Sequence, residues 1–145
     1  MTDAHSLTAR LFAVIDGQRW EDYESVMHPD VQFSNPFTEV HGAAEWVAFN
    51  RAFAAAMPDG RHTVEDVLQD GDRFAARLTF TGTHTGPLAT PQGHVPPTGR
   101  SVALPSCLLG TIRDGRLTAA RVYLDQLAML TQLGLVPLSE PVAAG

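Results

Sequence analysis

Hydrophobic positions near the start of the chain fall on a single stripe. Leu7, Leu11, Phe12, Val14 and Ile15 recur at helical spacing, which predicts a helix over Ser6 to Asp16, with Ser6 as N-cap and Gly17 as its stop. Trp20, Tyr23, Val26 and Met27 recur at three and four, so a second short helix is expected from Trp20 to Met27, ended by His28-Pro29. Val31 to Phe33 reads as a short strand broken by Asn35-Pro36. After Gly42, the positions Ala43, Trp46, Val47, Phe49, Phe53 and Met57 make a long helix that stops at Pro58-Asp59-Gly60.

The period then changes from helix to strand. His62 to Gln69 reads as a strand, Asp70-Gly71 as a two-residue hairpin turn, and Arg73 to His84 as a longer strand in which Phe74, Ala76, Leu78 and Phe80 alternate with polar positions. Thr85 to Gly99 holds four prolines and three glycines, which predicts a loop longer than a plain connection needs, bordering a cavity mouth and controlling access. Ser101 to Ile112 and Leu117 to Leu124 are two more strands, turned at Asp114-Gly115. Asp125 caps a last helix, Gln126 to Leu133, which Gly134 ends. Helices followed by an antiparallel meander imply an α+β fold, a curved mixed or antiparallel sheet wrapped around the N-terminal helices and enclosing a conical cavity.

Composition narrows the class. The 145 residues suit one domain, with a core over residues 6–135 and a loose tail over 136–145. A net charge of −6 leaves no basic footprint for a phosphate backbone, so no nucleic-acid partner is expected. No apolar run approaches the ~20 residues of a membrane span. The single Cys107 and the absence of a readable signal peptide suit the cytoplasm. Small and aliphatic residues such as Ala103, Leu109, Ala120 and Val122 suggest a convex sheet face that pairs in a homodimer.

The series Pro58-Asp59, Gly71-Asp72-Arg73, Gly82-Thr83-His84-Thr85-Gly86, Pro97-Thr98-Gly99-Arg100, Asp114-Gly115-Arg116-Leu117, Leu124-Asp125 and Gln132-Leu133-Gly134 resembles the SnoaL-like polyketide cyclase (ester cyclase) family, over about Ser6 to Leu135. That resemblance implies a cone-shaped barrel of the nuclear transport factor two-like superfold and an intramolecular aldol closure of a small, hydrophobic, polyketide-like substrate. The closure needs a carboxylate and a proton donor but no cofactor. The six His residues show no metal-ligand spacing, so no metal is expected.

The family's acid/base Asp at the end of the last strand corresponds to Asp125. Strand alternation puts Arg121, Tyr123 and Asp125 on one face and Val122 and Leu124 on the other; a concave polar face would place Asp125 in the cavity, whereas the plainer reading of Asp125 is an N-cap. Arg121 stands where the family more often has an aromatic residue, and with Tyr123 it is a candidate substrate contact. His84 is read either as catalytic or as a hydrogen bond closing the loop. His62 reads as a rim or surface residue. Asn35 replaces the Asp that related ketosteroid isomerases carry in this segment; as an amide it cannot be a base, but it can orient a carbonyl. Trp46 and Phe49 are expected in the core or cavity wall, where aromatic rings suit a flat ligand. The competing readings are a pericyclic cyclase, a limonene epoxide hydrolase-like enzyme and a non-catalytic ligand-binding domain.

Overall fold

The computed structural model describes residues 2–90 and 93–136. The tail expected over 136–145 therefore lies, beyond residue 136, outside the described residues.

Helix α1 runs Ala4–Asp16, two residues longer at its start than expected, because Asp3 rather than Ser6 caps it by accepting from the His5 N–H. A 3-10 helix follows over Trp20–Ser25. The expected helix to Met27 stops short there because Met27 already begins strand β1, Met27–Ser34. Pro29 is tolerated inside β1 because the strand's pairing with its later neighbour is interrupted between Met27 and Gln32, so no ladder hydrogen bond is missing there. A four-residue turn leads into strand β2, Glu39–His41, which the Asn35-Pro36 signal had masked. Helix α2 is Ala43–Ala56. The meander then comprises β3 (Arg61–Asp70), β4 (Arg73–Thr83), β7 (Ser101–Arg113) and β8 (Arg116–Leu124), and helix α3 closes the chain at Gln126–Gln132. The segment read as a long loop carries a small hairpin of its own, β5 (Leu88–Thr90) with β6 (Gly93–Val95).

One six-stranded sheet has the order β2-β1-β8-β7-β4-β3. Every pair is antiparallel except β1 with β8, which is parallel, so the sheet is mixed as expected. Register shifts in β3 against β4 and in β7 against β8 bend it into a half-cone. Phe74, Ala76 and Leu78 of β4 and Leu108 of β7 are buried on the concave side in one cluster with Leu7, Leu11 and Val14 of α1 and Trp46 of α2. The outer face differs from the expectation. Ala120 is buried and Val122 faces inward, because on β8 the aliphatic positions are the ones withdrawn from water; Ala103 and Leu109 do lie outside.

A second cluster plugs the wide end of the cone. Leu88 and Val95 of the hairpin pack with Met57, Phe80, Leu104, Met129 and Leu133. The base of this loop is tied down: Thr85 and Gly86 N–H groups both donate to the Ala56 carbonyl at the end of α2, and a Cβ on Gly86 would fall 2.0 Å from the Ala55 oxygen, so only glycine permits the approach.

Candidate functional site

A partly open cavity of about 100 Å³ sits between α1, α2 and the concave sheet. Its wall is mainly aromatic, and the rings form a continuous path. Trp46 stacks on Phe33 at 4.6 Å, Phe33 meets Phe49 at 6.0 Å, Phe49 meets Phe53 at 6.3 Å, and Phe53 meets Phe80 at 5.4 Å. The arrangement follows from helical spacing, since positions 46, 49 and 53 project from one face of α2 onto β1 and β4.

Four polar side chains interrupt that wall: Asn35, Asn50, His62 and Ser106. Ser106 occupies an inward position of β7 between Leu104 and Leu108, where the alternation calls for an apolar residue. Asn35 opens the β1–β2 connection. Its Oδ1 accepts from the N–H groups of Phe37 and Thr38, both at 2.9 Å, which shapes the turn and leaves the amide NH2 free to donate elsewhere. Asn50 donates from Nδ2 to the Trp46 carbonyl at 3.0 Å.

His62 opens β3 directly across from Phe80. Its Nδ1 lies 2.7 Å from Oδ1 of Asp16, and its backbone N–H donates to Oδ2 of the same carboxylate at 2.7 Å. Because a carboxylate can only accept, Nδ1 donates to it, and in the neutral ring that leaves Nε2 as the nitrogen with the lone pair. Phe12 stacks on the imidazole at 4.3 Å and Phe80 packs on it at 5.0 Å, so the ring's orientation is fixed from both sides. His62 lines the cavity and also a smaller outer cleft of about 30 Å³, whose wall includes Asp16. The expectation of a rim or surface position for His62 is thus only half met. Its side chain retains 21% exposure, yet it forms part of the inner wall. Asp16 escaped the sequence reading altogether, and its only signal was an acidic residue in the last turn of a helix, where the macrodipole disfavours it.

The other expected residues are dispersed. Trp46, Phe49 and Asn35 line the cavity. Arg121 and Tyr123 do not: the polar face of β8 is convex, and Val122 and Leu124 are the residues that reach the cavity. The physical reason is desolvation, since an inward guanidinium would need a buried partner that this wall does not supply. Asp125 goes with the polar face. It is exposed, and its Oδ1 accepts from the Ala128 N–H at 2.9 Å, so it caps α3 outside the cavity. Arg121 and Tyr123 instead line an outer groove that shares Asn35, Phe37 and Val122 with the cavity or its plug.

His84 is fully buried but is absent from the cavity wall. Its backbone N–H donates to the Arg100 carbonyl, its carbonyl accepts from Gly99, and its Nδ1 accepts from the Thr98 N–H at 3.2 Å, so it clamps the two ends of the loop together. Its Nε2 is buried without a hydrogen-bond partner among the described residues.

A curved mixed sheet over helices, with an aromatic cavity between them, is the architecture of the nuclear transport factor two-like, or ketosteroid isomerase-like, superfold. The SnoaL-like polyketide cyclase family matches residues 5–133, and the chain belongs to that family. A proposed SnoaL-like polyketide cyclase from Jannaschia sp. CCS1 is similar over 91% of this chain and 92% of that one, at 27% identity and a TM-score of 0.79. IdmH, a proposed polyketide cyclase from Streptomyces antibioticus, is similar at 27% identity and a TM-score of 0.77, over 90% of this chain and 97% of that one. A protein with a ketosteroid isomerase-like fold from Catenulispora acidiphila shares the architecture at 16% identity and a TM-score of 0.75, over 94% and 96% of the two chains. No curated protein matches the chain. Among the described residues, no helix is long and apolar enough to cross a membrane.

Proposed function

We propose that this protein closes a carbon ring in a small polyketone by an intramolecular aldol-type reaction, with proton transfers carried out by its own side chains and no cofactor. The observation that carries this reading is the cavity itself: an aromatic wall that holds a flat, folded chain, interrupted by a few polar groups on separate elements. Its volume of about 100 Å³ is about two thirds of the roughly 150 Å³ cavity known to take benzene, so a single ring is the largest group it admits, with some adjustment of the wall. The ring being closed occupies the cavity, and the remainder of a longer substrate lies in the outer groove against Arg121 and Tyr123.

The donors suit the charge that develops. An aldol closure turns one carbonyl into an enolate and another into an alkoxide, and both gain stability from donors already aimed into a dry site. The free amide of Asn35 and the hydroxyl of Ser106 supply such donors. Asp125, exposed and committed to capping α3, lies outside this machinery.

The test is the rate at which a linear aryl β-polyketone cyclises, followed by absorbance and by mass spectrometry of the product. The protein should accelerate closure over buffer, and Asn35→Leu should lower turnover by about a hundredfold, the usual effect of removing one such donor. A folded protein that gives no acceleration across a series of chain lengths would contradict the reading.

A further inference from the structure

We infer that His62, held by Asp16, is the catalytic base of the inner cavity, with a ketone bearing acidic α-hydrogens as the class of substrate it acts on; this deepens the cyclase reading and rests on it for the ring-closing step. Three independent observations meet at this residue. His62 is the titratable side chain in the cavity wall, with its Nε2 uncommitted to any hydrogen bond among the described residues. The carboxylate behind it bonds both the ring and the backbone of the same residue at 2.7 Å, which fixes tautomer and orientation together. Aromatic rings on both faces prevent the imidazole from turning.

The location of Asp16 argues against a purely helical role. It is the last residue of α1, where the unpaired carbonyls make the helix end negative, and a carboxylate there is opposed rather than favoured. A carboxylate in that position stabilises an imidazolium instead: when His62 takes a proton, the charge forms next to Asp16. His62 borders both the cavity and the outer cleft, whereas Asp16 borders the cleft alone.

The step balances without any further reagent. His62 Nε2 removes a proton from the carbon between or beside carbonyls, and the C–H electron pair becomes the enolate. The enolate carbon then bonds to the second carbonyl carbon, whose π pair moves onto its oxygen. The imidazolium returns the proton to that alkoxide, so the dyad ends as it began and substrate and product are isomers. Asp16 is a positioning residue, because it acts only through His62.

Proton removal is testable apart from ring closure. In D2O, wild-type protein should exchange the α-hydrogens of 1-phenylpropan-2-one, followed by proton NMR, faster than buffer does. His62→Gln should lower that rate by about a hundredfold or more and flatten the acid limb of its pH profile. Asp16→Asn should lower it by about tenfold or more. Free imidazole added to His62→Ala should restore part of the exchange, which a merely structural histidine would not allow, and near-ultraviolet circular dichroism should show each variant folded. Wild-type protein that exchanges no faster than buffer, or His62→Gln and His62→Ala variants that exchange as fast as wild type, would overturn the assignment, as would Asp125→Asn alone abolishing exchange. Exchange that depends on His62, with no ring closed in any polyketone, would leave the base assignment standing and remove the cyclase reading. Ring closure undiminished in both His62 variants would do the reverse.

Discussion

Asp125 shows what a single residue's chemistry can and cannot announce. Alternation along β8 correctly separated Arg121, Tyr123 and Asp125 from Val122 and Leu124, because a strand's period is two whatever surrounds it. It could not say which set faces inward, and there the cost of burying a guanidinium decides in favour of the aliphatic pair. Trp46 and Phe49 lie on α2, whose inward face the helical period fixes, whereas Asn35 stands in a turn, where no period sets the direction. The capping role of Asp125 leads to an expected outcome of its own. Asp125→Ala should cost about 1 kcal/mol, or about 4 °C in Tm, while Asp125→Asn keeps an acceptor for the Ala128 N–H and should change Tm little. Thermal melts of the two variants check this, and ketone exchange should remain at the wild-type rate in Asp125→Asn. A large loss of exchange there with an unchanged melt would return Asp125 to the chemistry.

At the scale of elements, the long amphipathic helices and the meander were readable from hydrophobic period and turn residues, including the turn at Asp114-Gly115; the turn expected at Asp70-Gly71 falls one residue later, at Gly71-Asp72, because Asp70 is still paired with Arg73. The misses have local causes. Pro29 sits in β1 only because the parallel pairing with β8 lapses there, and β2 exists because the side chain of Asn35 folds a turn that the residues alone mark as a break. Asp59 illustrates the reverse, a turn residue whose partner is distant. Its carboxylate accepts both the N–H and the hydroxyl of Thr83 at 2.8 Å, tying the turn after α2 to the end of β4. Those bonds, the backbone one foremost, hold the Asp59 carboxyl below the ordinary value of 3.8. A lowered folded-state pKa means that the contribution is present above the unfolded value and is lost as pH falls through the folded one. Wild-type protein should therefore lose an increment of Tm as pH drops below about 3.8 that Asp59→Asn does not lose. Melting both proteins at pH 6 and in steps down to pH 2.5 tests it; parallel curves would contradict the linkage.

For the whole molecule, the order of helices and strands was enough to foresee a curved sheet over helices with a cavity between, because a sheet with one apolar face has few ways to cover it. The dyad was not foreseeable in the same way. Asp16 and His62 are 46 residues apart, and only the docking of the end of α1 against the start of β3 brings them together. The inner aromatic cavity adjoins an outer groove lined by Arg121 and Tyr123, and the proposed chemistry belongs to the inner one. A crystal structure of the protein soaked with 2′-hydroxyacetophenone, a single-ring phenolic ketone, tests that assignment most directly. The account predicts density for the ring between Trp46, Phe49 and His62, with the ketone oxygen toward Asn35 or Ser106. Density confined to the outer groove beside Arg121 and Tyr123, with the inner cavity empty, would contradict it.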